Sequence, residues 1–122
     1  LQSKEALKEQ IKDGYEYYII KDEGKSTGYI GIHQEDTPRL FLSKLYIRKE
    51  FRGKGLSSRA FEFMEKLCRE RGLKSIWLTV NKYNSGSIAV YEHRGFKTFD
   101  SQVTDIGGGD VMDDYFMELN VE

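Results

Sequence analysis

The stretch that most restricts what this chain can fold into is residues 40–80, where two β-rich runs flank one strongly patterned helix. Between Gly55 and Gly72, the residues Leu56, Ala60, Phe63, Met64, Leu67 and Cys68 recur at helical spacing and form a single apolar stripe. Glu62 and Lys66, Glu65 and Arg69, and Lys66 and Glu70 sit four apart, as exposed helical pairs do. Gly72 is a natural stop for that helix. Residues 40–47 read as a strand. Strict alternation puts Leu40, Leu42, Lys44 and Tyr46 on one face, and Phe41, Ser43, Leu45 and Ile47 on the other. Residues 75–80 are a short, largely apolar run of the kind covered on both faces. A helix held between two such strands directs the chain to a sheet with helices packed against it.

The remaining segments extend that plan. Residues 3–11 predict a helix, with Ala6, Leu7 and Ile11 near helical spacing and Ser3 as its cap. Residues 15–20 are β-rich, 22–25 supply a turn, and 27–33 form the partner strand. Residues 84–94 predict a second helix closed by Gly95. Residues 96–100 and 115–121 predict the last strands, separated by a loop at Gly107-Gly108-Gly109. The expected fold class is therefore mixed α/β (α+β): an antiparallel meander followed by strand–helix–strand–helix–strand, as one domain over residues 1–122.

Composition removes several functions. A formal net charge of -1 argues against a broad electrostatic footprint for nucleic acid, so any bound anion needs a local site. No run approaches the roughly 20 apolar residues of a membrane span. No signal peptide is visible at Leu1, and the cytoplasm is the default location. The lone Cys68 lies on the helical stripe and reads as a buried small hydrophobe rather than a reactive thiol. No metal site is expected.

That local anion site has a candidate. The run Ile47-Arg48-Lys49-Glu50-Phe51-Arg52-Gly53-Lys54-Gly55-Leu56-Ser57 ends a strand and opens the best helix. Gly53 and Gly55 permit tight backbone geometry and close ligand approach. The first helical amides lack intrahelical partners and the helix dipole adds positive character, which Arg52 and Lys54 reinforce. Two commoner phosphate loops are excluded. No segment has the glycine, four residues and Gly-Lys-Ser/Thr of a P-loop, and Ser58 stands where a dinucleotide fingerprint needs glycine.

Arg52-Gly53-Lys54-Gly55-Leu56-Ser57 resembles the Arg/Gln-x-x-Gly-x-Gly/Ala acetyl-CoA signature of the GNAT N-acetyltransferase superfamily, with Ser57 in place of the usual Gly or Ala. The segment from Asn84 through Ala89 and Tyr91 to Gly95-Phe96 resembles that superfamily's Asn-x-x-Ala-x-x-x-Tyr-x-x-x-Gly-Phe pattern, with Ser87 replacing the frequent Ala. The likeness covers about half of the chain, from residue 40 to about residue 100.

The resemblance implies an acetyl-CoA-dependent transfer to an amine. The cofactor's pyrophosphate would lie on the amides of Gly53, Lys54, Gly55, Leu56 and Ser57, with Arg52 beside it. Its pantetheine arm would run along Leu45-Tyr46-Ile47 as an added strand does. That strand and residues 76–80 would splay apart, freeing backbone groups to polarise the thioester carbonyl. Asn84 would hydrogen-bond the arm, its plainer role being a helix cap. Tyr91 would be the general acid for the departing thiolate, its plainer role being a core aromatic.

The base stays open among Glu35, Asp36 and a water chain; both carboxylates also read as solvated loop charges. His33 and His93 read as surface residues. The acidic stretch from Val111 to Glu118, with Asp113 and Asp114 side by side, resembles part of some bacterial polyamine (spermine/spermidine) acetyltransferases, so a polyamine is the leading acceptor. The superfamily usually starts with a strand and a helix or helix pair before the meander, which this chain is expected to lack. The competing reading is a non-catalytic acyl-CoA-binding or regulatory module on the same fold. Homodimerisation stays open.

Overall fold

The computed structural model of the chain describes residues 5–12 and 14–121, with side chains from residue 14 onward. Its elements are β1 (Glu5–Lys12), β2 (Tyr15–Asp22), β3 (Lys25–Gln34), β4 (Arg39–Ile47), a 3-10 turn (Lys49–Phe51), α1 (Leu56–Arg71), β5 (Ser75–Asn81), α2 (Ser85–Arg94), β6 (Lys97–Gly107) and β7 (Asp110–Asn120). The strands make one seven-stranded sheet in the order β1-β2-β3-β4-β5-β7-β6. Among the described residues only β4 and β5 are parallel neighbours, because α1 returns the chain to the end at which β4 began. The expected mixed α/β plan is the one observed.

Three local expectations change. Where it is described, the segment expected as a helix over residues 3–11 is strand β1, paired with β2 from Glu5↔Asp22 to Lys12↔Tyr15. Leu7 and Ile11 are four apart, a spacing that helical and strand periods accept equally, and ladder pairing decides between them. The last two strands are longer than expected. The Gly108-Gly109 turn has both residues at positive φ, the hairpin geometry that matches strand twist, so β6 and β7 pair almost to the tip.

The third change is in β4. Gly31 pairs with Lys44 and Ile32 with Leu42, which leaves Ser43 as an extra residue in a β-bulge. The bulge reverses the alternation. Leu40 and Leu42 enter the core, and beyond Ser43 it is Leu45 and Ile47 that pack against it, while Lys44 and Tyr46 turn outward.

The core lies between one face of the sheet and the helices. Ile20, Ile30, Ile32, Leu40, Ile76, Leu78 and Met117 meet Leu56, Ala60, Phe61, Met64 and Cys68 of α1. Phe61 was absent from the expected stripe but is fully buried, whereas Phe63 and Leu67 stay partly covered at its edge. Burial pushes the Cys68 thiol up to about 11, so it is a packing residue. Helix α2 buries no residue completely. It is fastened to α1 by Arg94 Nη2 on Glu65 Oε2 at 2.6 Å and by Tyr91 edge-on to Phe61 at 6.1 Å. A helix attached this way leaves one flank free to wall a groove.

β3 and β4 run unusually close beside Gly28, where an added methyl would collide with the Tyr46 carbonyl oxygen. Gly28→Ala must push β4 outward, and overpacking of this kind costs about 1–3 kcal/mol. Urea unfolding monitored by circular dichroism checks this; an unchanged midpoint would show that the strands separate freely.

Candidate active site

The parallel pairing of β4 with β5 covers only Arg39↔Ser75, Leu40↔Ile76 and Phe41↔Trp77. Beyond that point β4 stays with β3 as far as Gly28↔Ile47, and β5 stays with β7 as far as Asn81↔Asp114. The two strands therefore part just where the Ser43 bulge bends β4. Backbone groups on the facing edges have no ladder partner across the gap, so a polar extended ligand is the natural guest.

The wide end of the gap leads to the start of α1. Gly55 caps that helix in the left-handed region at φ 80°, with no side-chain cap, and the first turn carries no acidic residue. The first backbone hydrogen bond of the helix is Arg59 N to Gly55 O, so the amides of Leu56, Ser57 and Ser58 point out of its end. Neither Gly53 nor Gly55 would bring a methyl within 4 Å of any neighbour, which means a side chain there would protrude into open space. Positive helix-end character, left uncapped and unneutralised, suits a phosphate. Arg52 Nε donates to the Ile47 carbonyl at 2.8 Å, which pins the loop to the end of β4.

A cleft of about 420 Å³ joins these features. One wall is Leu45, Tyr46 and Ile47; the end is Phe51, Arg52, Gly53, Gly55, Leu56 and Ser57; the far wall is Gly86, Ser87, Val90 and Tyr91 of α2. Tyr91 packs its ring on Phe61 and Phe96, with centroids 6.1 and 5.7 Å away, and presents its remaining surface to the cleft. Burial raises its phenol above the ordinary tyrosine value, so it holds its proton at neutral pH. A strand gap, an uncapped helix end and a protonated phenol thus share one cleft.

Residues 2–96 match the acetyltransferase (GNAT) family. The chain belongs to this family. It is similar to an uncharacterised N-acetyltransferase from the pepI 3′ region of Lactobacillus delbrueckii subsp. lactis, 30% identical over 98 residues, covering 75% of this chain and 57% of that protein. It is also similar to the uncharacterised N-acetyltransferase YjgM of Escherichia coli (strain K12), 31% identical over 90 residues, covering 71% of this chain and 54% of that protein. The chain spans a little over half the length of these curated relatives. Among solved structures, a GNAT family acetyltransferase from Elizabethkingia anophelis with acetyl-CoA bound shares the fold. Its TM-score is 0.81 at 10% identity, over 98% of this chain and 99% of that one.

Within this GNAT fold, most of the residues singled out for the cofactor and the acid meet in the cleft, and two of them do not. Asn84 caps α2, its Oδ1 accepting from Ser87 N at 3.2 Å, and is not among the lining residues. Lys54 also lies off the lining, its ammonium 5.4 Å from the Phe51 ring centroid. Phe51, Gly86, Ser87 and Val90 were not singled out. Gly86, Ser87 and Val90 all fall between Asn84 and Tyr91, and the helical spacing of Ser87 and Tyr91, four apart, marks that flank. Glu35 sits at the other end of β4, where its Oε1 accepts from Trp77 Nε1 at 2.9 Å and faces Arg39 at 3.5 Å. Asp36 and His93 are exposed, and His33 stacks on Tyr15 at 4.9 Å. Among the described residues no group of three or more His, Cys, Asp or Glu side chains is placed to hold a metal ion. No helix among the described residues is long and apolar enough to cross a membrane.

The raised Tyr91 pKa has a consequence for stability. The folded state keeps this proton to higher pH than the unfolded chain does, so its contribution is complete below the ordinary tyrosine value. It is lost as pH climbs from there through the raised value. Denaturant midpoints measured from pH 8 upward should fall more steeply in the parent than in Tyr91→Phe; parallel curves would show that Tyr91 titrates as a solvated phenol.

Proposed function

We propose that this chain carries the catalytic site of an N-acetyltransferase that moves the acetyl group of acetyl-CoA to a primary amine. The observation that carries the reading is the continuous cleft from the uncapped α1 terminus to the β4–β5 gap, with a protonated Tyr91 in its wall. Acetyl-CoA supplies a thioester whose acyl carbon accepts the amine. The amides of Leu56 and Ser57, flanked by Gly53 and Gly55, would hold its diphosphate, with Arg52 and Lys54 adding charge. The free edge of Leu45-Tyr46-Ile47 would hold the pantetheine amides. Because the Asn84 acceptor is committed to the α2 cap, its role in this reading is to fix the first turn of the Ser87–Tyr91 wall rather than to bind the arm.

In the transfer, the amine nitrogen forms the new C–N bond, the C–S bond breaks, and Tyr91 gives its proton to the departing sulfur. The amine's own proton leaves to solvent water. Acetyl-CoA as donor suits a cytoplasmic site of action. The expected polyamine acceptor drew on the likeness of residues 111–118 and on Asp113 and Asp114 acting as a pair. Asp113 Oδ1 lies 2.7 Å from Lys82 Nζ, and neighbouring strand residues face opposite ways, so the two do not present one acidic surface. The proposal is therefore limited to a primary amine.

Two variants test the reading. Gly55→Val places a branched residue in a left-handed conformation at the anion site, and acetyl-CoA affinity by calorimetry should fall at least about tenfold, or 1.4 kcal/mol. Unaltered affinity in a folded variant would remove the phosphate assignment. Tyr91→Phe should lower kcat at least about tenfold, at the low end of general acid catalysis, while acetyl-CoA affinity changes little. A variant with parental turnover across several amines excludes Tyr91 as the acid. A parent that binds acetyl-CoA yet acetylates no amine favours the non-catalytic acyl-CoA module.

A further inference from the structure

On the sheet face away from the helices, four aromatic rings gather at the level where β4 and β5 part. Phe41 and Trp77, partners in the last pair before the gap, have centroids 4.6 Å apart. Trp77 also meets Phe116 at 5.9 Å and Phe99 at 6.4 Å. Arg39 precedes Phe41 by two residues, hence shares its face, and lays its guanidinium over this floor. Its Cζ is 4.7 Å from the Trp77 centroid and 5.9 Å from that of Phe99. The side chain keeps 32% of its surface exposed.

Arginine presents five N–H donors in a planar fork. The neighbouring Glu35 Oε1 lies 3.5 Å from Nη2, beyond good hydrogen-bond length, and already accepts the Trp77 indole N–H. Among the described residues no acceptor completes the Arg39 fork. A guanidinium that is stacked into place with donors unfilled is arranged for a planar anion. If it served only to cover the rings, a neutral side chain of similar length would do as well.

We propose that Arg39 and the Phe41–Trp77–Phe99–Phe116 floor select the acceptor, a primary amine that carries a carboxylate or phosphate at the far end of an apolar body. This rests on the acetyl-transfer reading of the cleft, since the amine is placed at the gap. From residue 42, where the gap opens, the Arg39 backbone is three strand residues away, on the order of 10 Å, and its guanidinium reaches part of the way back to lie over Trp77. The amine and the anion are therefore separated by several bonds, more than in an α-amino acid.

The test uses ε-aminocaproate, aminopentyl phosphate and hexylamine, which share reach and amine but differ in the distal group. Trp77 is the chain's one tryptophan, so its fluorescence reports binding without turnover. One of the anionic amines should bind at least about tenfold more tightly than hexylamine, and kcat/KM should show the same preference. The better of the two identifies the anion as carboxylate or phosphate. Arg39→Gln should abolish the preference while leaving hexylamine within about twofold, and Arg39→Lys, which keeps charge but not the fork, should restore only part of it. Melting curves accompany each variant. Equal binding of all three by the parent, or a preference that survives Arg39→Gln, overturns the proposal. If anion preference is seen in fluorescence but no amine is acetylated, the acetyl-transfer reading fails and the anion site stands. If amines are acetylated without that preference, the reverse holds.

Discussion

The structure depends on β4 abandoning β5. A parallel pair could have continued along both strands, since each is long enough, yet the ladder stops after three positions. Ser43 is the cause. An inserted residue bends the strand and increases its local twist. β4 then follows β3 while β5 follows β7. The close contact beside Gly28 holds β4 to its meander neighbour throughout this divergence. Everything assigned to the cleft lies downstream of that bend: the β4 edge, the loop pinned by Arg52, and the uncapped end of α1.

The bulge also explains which parts of the site were legible beforehand. The glycines at 53 and 55, the helix that follows them and the spacing from Asn84 to Tyr91 are local patterns, and local patterns are written in consecutive residues. The reversal of faces at Ser43 is a different matter. Nothing about a serine between Leu42 and Lys44 announces an extra residue, because the bulge exists only relative to the register of β3. Leu45 and Ile47 consequently looked like residues of the face opposite Leu40 and Leu42, and instead pack on the same core while walling the cleft.

The same distinction accounts for the other differences. Leu7 and Ile11 satisfy two periodicities at once, so only a partner strand can decide their element. Phe61 belongs to the core because Tyr91 and Phe96 arrive from a segment some thirty residues later. Arg39 carried no local signal at all, since its neighbours Trp77 and Phe99 come from two other strands. Asn84 was legible both as a residue and as a cap, the simpler of the two functions its position allowed, because Asn just before a helix is a local signal.

The last hairpin runs on past the sheet that supports it. β5 ends its pairing at Asn81↔Asp114, but β6 and β7 continue through Val103↔Asp113 and Thr104↔Met112 to Gly107↔Asp110. Val103, Ile106, Val111 and Met112 on this overhang are exposed. Two strands alone are marginal in water, so the overhang has little of the cooperativity that protects the central strands. Its amides should trade hydrogen for deuterium through small openings near the tip, long before those of β5 do. The clamp of Lys82 on Asp113 marks where such opening stops, giving the molecule a pliant arm on a rigid sheet.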